Sequence, residues 1–359
     1  MPKPSTQSGA SGVQEHNFST LYTTMADLGQ HERHGVAGSG PGRIRILHIV
    51  NPVAAKPESD LAVAQPVTFA AMTTARSWAE SRDPAVQVRL AAAGYPEDAA
   101  VVPDGFDMLP DLQRSAMDVR TFQKARKLPV LWDILERGRD AAADSDTPAE
   151  WLIYTNVDIA PMPHFYLLVA ALVRKGYDAA IINRRTIPDT YTSPGDLPFM
   201  YTAIGKSHPG LDCFVFRRTL MDRFVPSRAC IGAGFVMRSL LFNLVATTGK
   251  MVVLTDAHAT FHIGDDRAWA NPVYADYEAF NKAEALTVLN TFCRDPALHA
   301  RFVAFARQTK ENWLPEPFSS PPPRPSLGRR LLAGIARGGR LLLRSRPRNE
   351  QPAAAERLP

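Results

Sequence analysis

Cysteine is scarce in this chain. Its 359 residues contain only Cys213, Cys230 and Cys293, too few and too scattered for a disulfide framework or a zinc-ligand cluster. Long apolar runs are missing too. No stretch approaches the length that spans a bilayer, and residues 1–42, rich in Ser, Gly, Thr and His, hold no apolar core of the signal-peptide kind. The body of the chain is therefore expected in the reducing cytoplasm. Acids are absent from 324–348, a segment with eight arginines, so removing it takes the formal net charge from +5 to −3. The basicity belongs to that tail and argues for no specific nucleic-acid partner.

What is present suits a globular protein: 45% hydrophobic and 21% charged residues support one main domain of roughly 250 residues plus tails. Residues 1–42 could not bury enough surface to offset the entropy of ordering and are expected to be a disordered leader. The domain is expected over 43–315, with halves at 43–183 and 184–315, followed by a Pro-rich linker and basic tail over 316–359. Arg43 to Val50 alternates and then turns apolar, as a strand does, and Asn51-Pro52 ends it. A helix is predicted after Pro66, a strand over 86–92, and a helix opening near Pro129. A strand follows at Trp151, then a one-sided helix over 163–175 stopped by Gly176, and a strand over 178–183. Strands alternating with helices imply a doubly wound, mostly parallel α/β sheet. The segment 184–210 lacks periodicity and is expected to be a functional loop, an acceptor-side lid. Beyond it come strands over 211–216 and 251–255, a helix over 235–248, and closing helices over 276–312 broken near Pro296.

The densest signal is Trp151 to Pro188, where an apolar strand runs into Asn156-Val157-Asp158 and a helix and strand follow. In open α/β sheets ligands bind outside the carboxyl ends of the strands, which is where Asp158 falls. Strand, D-x-D-like turn, helix and strand in this order resemble the nucleotide-sugar glycosyltransferases of the GT-A fold, with Asn156 standing where that motif has its first Asp. The likeness runs loosely from Arg43 to Asn281. It implies that Asp158 helps hold Mn2+ or Mg2+ against the diphosphate of a nucleotide-sugar donor, since these cations take oxygen ligands, and that Asn156 lies near the ribose or sugar. The alternative for Asp158 is a loop or helix cap.

Two further places carry the resemblance. Asp212 interrupts the apolar run after Ser207-His208-Pro209-Gly210-Leu211, and as the carboxylate of an acceptor-side strand it is the candidate general base; the alternative is a hydrogen bond to a neighbouring loop. His262, in H-x-x-D-D with Asp265 and Asp266, matches the late histidine that serves such enzymes as a metal or diphosphate ligand, with His258 as its rival. A departure goes with them: where large inverting families carry an acidic pair before the late helix, this chain has Cys230-Ile231-Gly232-Ala233-Gly234-Phe235. Asp212, a residue of 184–210, a retaining mechanism or an inactive domain would account for that.

For the donor, Asn51 after the first strand is the nucleotide-side candidate. Lys124, Arg126 and Lys127 before a helix, together with Arg184 and Arg185 after a strand, are the diphosphate candidates; His208 joins Asp212 on the acceptor side. In the tail, Leu327, Leu331, Ile335 and Leu342 can share a helical face among arginines, the pattern of a helix on an anionic membrane surface at the inner face of the cell membrane. The sequence thus points to a metal-assisted glycosyltransferase of polysaccharide biosynthesis, acting on a glycan or lipid-linked acceptor. Its rivals are an inactive membrane-associated scaffold and a sugar nucleotidyltransferase. The latter is disfavoured because Asn51 to Asp60 has one lysine and no glycine.

Overall fold

A computed structural model describes residues 42–144, 146–265, 271–309 and 313–318 of the protein. The leader, the linker and tail from 319 on, and Asp266 lie outside the described residues.

Seven strands form the main sheet: β1 (Ile44–Val50), β2 (Val86–Ala92), β3 (Asp107–Met108), β4 (Trp151–Thr155), β6 (Ala179–Ile182), β9 (Cys213–Arg217) and β10 (Met251–Leu254). Their order is β10-β6-β9-β4-β1-β2-β3. Every pairing is parallel except those of β9, which runs against both β4 and β6. Six long helices cover it: α1 (Leu61–Arg82), α2 (Leu131–Ala143), α3 (Phe165–Arg174), α4 (Met237–Thr247), α5 (Ala275–Phe292) and α6 (Pro296–Thr309).

The strands read as near-continuous apolar runs because both faces of the sheet are buried. Successive side chains point to opposite faces. Leu47, Ile49, Leu152, Tyr154, Ile181, Phe214 and Phe216 pack with α2, α4, α5 and α6. Ile44, Ile46, Trp151, Ile153, Ala180, Ile182 and Val215 pack with α1 and α3. The result is the expected helix–sheet–helix α/β architecture. On the first face α2 comes very close to β1, since a Cβ on Gly138 would lie 1.9 Å from Ile49 Cδ1.

Two sequence expectations are corrected. The helix predicted after Pro66 begins at Leu61, with Asp60 accepting from the Leu61 N–H at its start. Pro66 lies inside it as the sixth residue, where its missing N–H takes one hydrogen bond from the helix ladder. The segment 184–210, expected to be irregular, contributes β7 (Arg185–Ile187), the one-turn helix Leu197–Met200 and β8 (Lys206–Ser207). With β5 (Ala160–Pro161) and β11 (Thr260–Ile263) these strands make a second sheet in the order β5-β11-β7-β8. Beneath it, Ala160, Met162, Ile187, Leu197, Met200 and Phe261 pack with Val67 and Ala71 of α1. Periodicity misses such a sheet because a two- or three-residue strand shows no alternation.

The chain winds outward from β1 through β2 to β3 on one side and resumes at β4 on the other. The carboxyl ends of β1 and β4 therefore flank a topological switch point, where such sheets bind ligands.

Candidate functional site

Just past β4, the Tyr154 hydroxyl donates to Asn156 Oδ1 at 3.1 Å and the Ile159 N–H to the Asn156 carbonyl at 3.1 Å. That tight turn presents Asp158. The second sheet then brings His262 to it across 104 positions of sequence: Nε2 lies 3.2 Å from Asp158 Oδ2, while Nδ1 lies 2.8 Å from the Gly264 carbonyl. His262 stands inside β11, a short strand of the second sheet.

Both His262 nitrogens face acceptors, so the ring that satisfies them is the imidazolium. Burial opposes that charge, but the Asp158 carboxylate outweighs it and raises the His262 pKa above its ordinary value. In Asp158, burial pushes the carboxyl up, and the His262 bond and charge, with help from Arg184, bring it below the usual carboxylate range. One oxygen is left over: Asp158 Oδ1 is buried with no hydrogen-bond partner.

A second pair lies near enough for the charge of its arginine to act on Asp158 and His262. β9 is antiparallel to β6, with Ile182 opposite Cys213, so the residues that follow β6 meet those that precede β9. Arg184 Nη1 and Asp212 Oδ1 form a 2.6 Å ion pair with both side chains largely buried. The Gly210 N–H donates to His208 Nδ1 at 2.9 Å, which makes that nitrogen an acceptor. His208 Nδ1 and Asp212 Oδ2, 3.6 Å apart, are then two acceptors facing each other, and Asp212 Oδ2 has no partner. Arg184 Nε and Asn183 Oδ1 share that state. Buried polar atoms normally find partners, so four orphans on residues that follow β4 and β6 or precede β9 make this end of the sheet the candidate site.

Below the turn lies a chain of groups that sequence reasoning missed. His48, fully buried in the middle of β1, is 2.8 Å from the Tyr166 hydroxyl through Nδ1 and 2.9 Å from Thr155 Oγ1 through Nε2. Burial holds its pKa down to about 3, and a neutral ring offering one donor and one acceptor suits two hydroxyls. Thr155 precedes the Asn156–Asp158 turn and Tyr166 lies in the first turn of α3, so His48 ties together both ends of the segment carrying Asp158. The signal was a lone histidine in the apolar run Ile46-Leu47-His48-Ile49-Val50.

Other sequence candidates are employed elsewhere. Asn51 is buried and donates through Nδ2 to the Ala93 carbonyl at 2.7 Å, tying the loop after β1 to that after β2. Asp98 does the same, accepting from the N–H groups of Ala54 and Tyr95. Arg185 turns away from Asp158 to Asp256 and to the carbonyls of Ile204 and Gly205. Gly205, at φ +62° and with a Cβ position 2.5 Å from the Thr186 carbonyl, admits no side chain there. Lys127 pairs with Glu97, and Arg126 lies over the Tyr274 ring while donating to the Gly232 carbonyl. His258, at φ +46°, is lowered in pKa by burial and then by the charge of Arg185.

Among the described residues no group of three or more His, Cys, Asp or Glu could hold a metal ion. Asp158 offers the orphaned Oδ1 as a ligand atom, and His262 would offer Nε2 only after losing the proton it shares with Asp158. That suits a cation which takes its remaining ligands from water and substrate phosphates, as Mg2+ commonly does. No described helix is long and apolar enough to cross a membrane.

No family model and no curated protein matches the chain. Among solved structures it is similar to residues 1–349 of TarS from S. aureus in complex with UDP-GlcNAc, at 8% identity, TM-score 0.41, and coverage of 75% of this chain and 73% of that one. It is also similar to 4-diphosphocytidyl-2C-methyl-D-erythritol synthase from Anaerococcus prevotii, at 11% identity, TM-score 0.33, and coverage of 67% and 99%. A third is the catalytic domain of Drosophila β1,4-galactosyltransferase 7 in complex with xylobiose, at 11% identity, TM-score 0.34, and coverage of 62% and 71%. Identities and scores this low leave the chemistry to the residues themselves.

Proposed function

We propose that the protein is a glycosyltransferase of GT-A type that moves a sugar from a nucleotide-diphosphate donor to a hydroxyl of a glycan or lipid-linked acceptor. The observation that carries this reading is the Asp158–His262 pair at the switch point, with Asp158 Oδ1 buried and unpartnered, within reach of the charge of Arg184, which pairs with Asp212. Mn2+ or Mg2+, held by Asp158 and by His262 once Nε2 has lost its proton, would neutralise the departing diphosphate as a Lewis acid. Asn156, fixed by Tyr154, faces donor ribose or sugar. Asp212 Oδ2 orients the acceptor hydroxyl or takes its proton, with His208 beside it. Arg185 holds the Ile204–Gly205 turn that borders this side, and Asn51 shapes the nucleotide side through its bond to Ala93.

The segment 324–348 would keep the enzyme against the anionic inner face of the membrane. A second reading, an inactive transferase-like scaffold, is favoured by one observation: each site carboxylate already has an ionic partner. Calorimetry on the full chain separates the two. Titrations of UDP, GDP and dTDP with and without Mn2+ are expected to give metal-dependent binding of one nucleotide, lost in Asp158→Ala without a change in folded content by circular dichroism. Absence of binding by all three would leave the scaffold.

A further inference from the structure

We infer that the turn over 197–204, with the neighbouring end of α1, is a lipid-binding surface on which Phe199, Ile204 and Trp78 enter the headgroup layer of an anionic bilayer. Ile204 and Phe199 are the two most exposed large apolar side chains among the described residues, at 74% and 66%. Scattered apolar residues on a surface are ordinary, whereas a contiguous group calls for a partner. These two share one compact turn, in which the Tyr201 N–H donates to the Leu197 carbonyl, that of Thr202 to Phe199 and that of Ala203 to Met200. Leu197 and Met200 are buried with Val67 and Ala71 of α1, so the core already has its share of this turn and does not call for Phe199 or Ile204.

Trp78 extends the surface along α1. Val67, Ala71, Thr74 and Trp78 recur at i, i+4, i+7 and i+11, which is one face of a helix. The first two lie under the second sheet and Thr74 lies near the Tyr201 hydroxyl. Trp78, one turn or about 6 Å further on, is exposed, and a tryptophan in that state suits the boundary between headgroups and acyl chains. Arg82 stacks over its ring at 4.6 Å, and Lys206 is exposed just past Ile204. The nearby acids are turned to the backbone: Asp196 accepts from the N–H groups of Thr192 and Ser193, and Glu80 from that of Val88. Cations beside exposed aromatics complement anionic lipid. The eight arginines of 324–348 favour the same lipid, and they argue against that tail as the occupant, because it would be repelled by Arg82 and Lys206. Arg185 holds the Ile204 carbonyl, so docking would bring the Arg184 end of the main sheet close to the bilayer. The inference rests on the membrane part of the proposed function and is independent of transferase chemistry.

The test sediments the full chain with vesicles of phosphatidylcholine and of phosphatidylcholine mixed with phosphatidylglycerol. Joint replacement Phe199→Ser and Ile204→Ser is expected to weaken binding to the mixed vesicles about tenfold, the order of one large apolar side chain left in water, with the circular dichroism spectrum unchanged. Lipids brominated near the headgroup are expected to quench the fluorescence of the wild type more than that of Trp78→Phe. Undiminished binding by the double variant, with equal quenching in Trp78→Phe, overturns the surface and leaves the tail as the anchor. Binding to phosphatidylcholine that the double variant loses, with no gain from phosphatidylglycerol, keeps the surface and removes the tail. Failure of the wild type to sediment with either vesicle overturns both. A dimer by light scattering that the double variant turns into a monomer, without vesicle binding, gives the surface to a second copy and overturns the lipid. Metal-dependent nucleotide binding, measured by calorimetry, bears on the transferase reading alone and is expected to be unchanged in these variants.

Discussion

His48 and His262 are both buried polar residues in strands, and their surroundings push them in opposite directions. The ring of His48 lies between two hydroxyls and stays neutral; that of His262 lies between a carboxylate and a carbonyl, and the carboxylate raises its pKa. Around His48 every hydrogen-bonding atom of the ring is used, and the group ties structure together. Around His262 the neighbouring Asp158, Arg184, Asn183 and Asp212 each keep an unpartnered atom. Full satisfaction marks a structural network, and incomplete satisfaction at the end of a sheet makes that end the candidate for a ligand.

The largest expected way to break the contrast is acid. A histidine held neutral gives stability that is fully present above its unfolded pKa of about 6.5 and is lost as pH falls toward about 3, at about 1.4 kcal/mol per pH unit. Urea unfolding at pH 7, 5.5 and 4 is expected to show that slope in the wild type and a shallower one in His48→Gln. Equal slopes would mean that His48 takes a proton in the fold. Next in size, Arg184→Ala leaves Asp212 as an unpaired, nearly buried charge and is expected to cost about 3 kcal/mol in the same assay. Replacing both residues by leucine should cost less, and a double variant as unstable as the single one would show that the pair is not desolvated.

Tyr166→Phe removes one hydroxyl from the His48 network and is expected to cost about 1 kcal/mol. The loss should appear as faster hydrogen exchange of amides 156–159 by NMR, with β2 amides unchanged; uniform acceleration would remove the tie between His48 and the Asp158 turn. The smallest effect sharpens the comparison from the other side. The raised pKa of His262 gives stability that is complete below about 6.5 and is lost as pH rises through the folded value. The lowered pKa of Asp158 gives stability that is present above about 3.8 and is lost as pH falls through the folded value. The gap in stability between wild type and His262→Gln should therefore be widest between about pH 3.8 and 6.5, opposite in trend to the contribution of His48. A gap independent of pH would show that the pair is not ionic.

Much of this was legible in the residues. The run from Arg43 to Val50, the strand over 86–92 and the break near Pro296 all lie where apolar pattern and turn chemistry put them. Asp158 and His262, 104 positions apart, were each picked out for a metal and stand in contact. Asn183 and the Tyr166–His48–Thr155 chain were not, because an isolated polar residue in an apolar run says nothing of what will lie opposite. The strand that carries His262 escapes a reading by pattern because four residues in a small sheet carry almost no periodic signal. Arg184 and Asp212 were assigned to different ligand groups, since spacing along the chain does not reveal that they meet.

The sequence by itself determined the alternation of buried strands and amphipathic helices, hence an α/β sheet covered on both faces, because burial imposes a period on apolar residues wherever a strand or helix forms. It also determined which side chains could carry charge. Only the tertiary structure decided the antiparallel run of β9 and the second sheet over the site, since a strand buried on both faces reads the same in either direction. Those two decisions bring Arg184 to Asp212 and His262 to Asp158, and the local balance of burial and opposite charge then sets which of these groups are ionised.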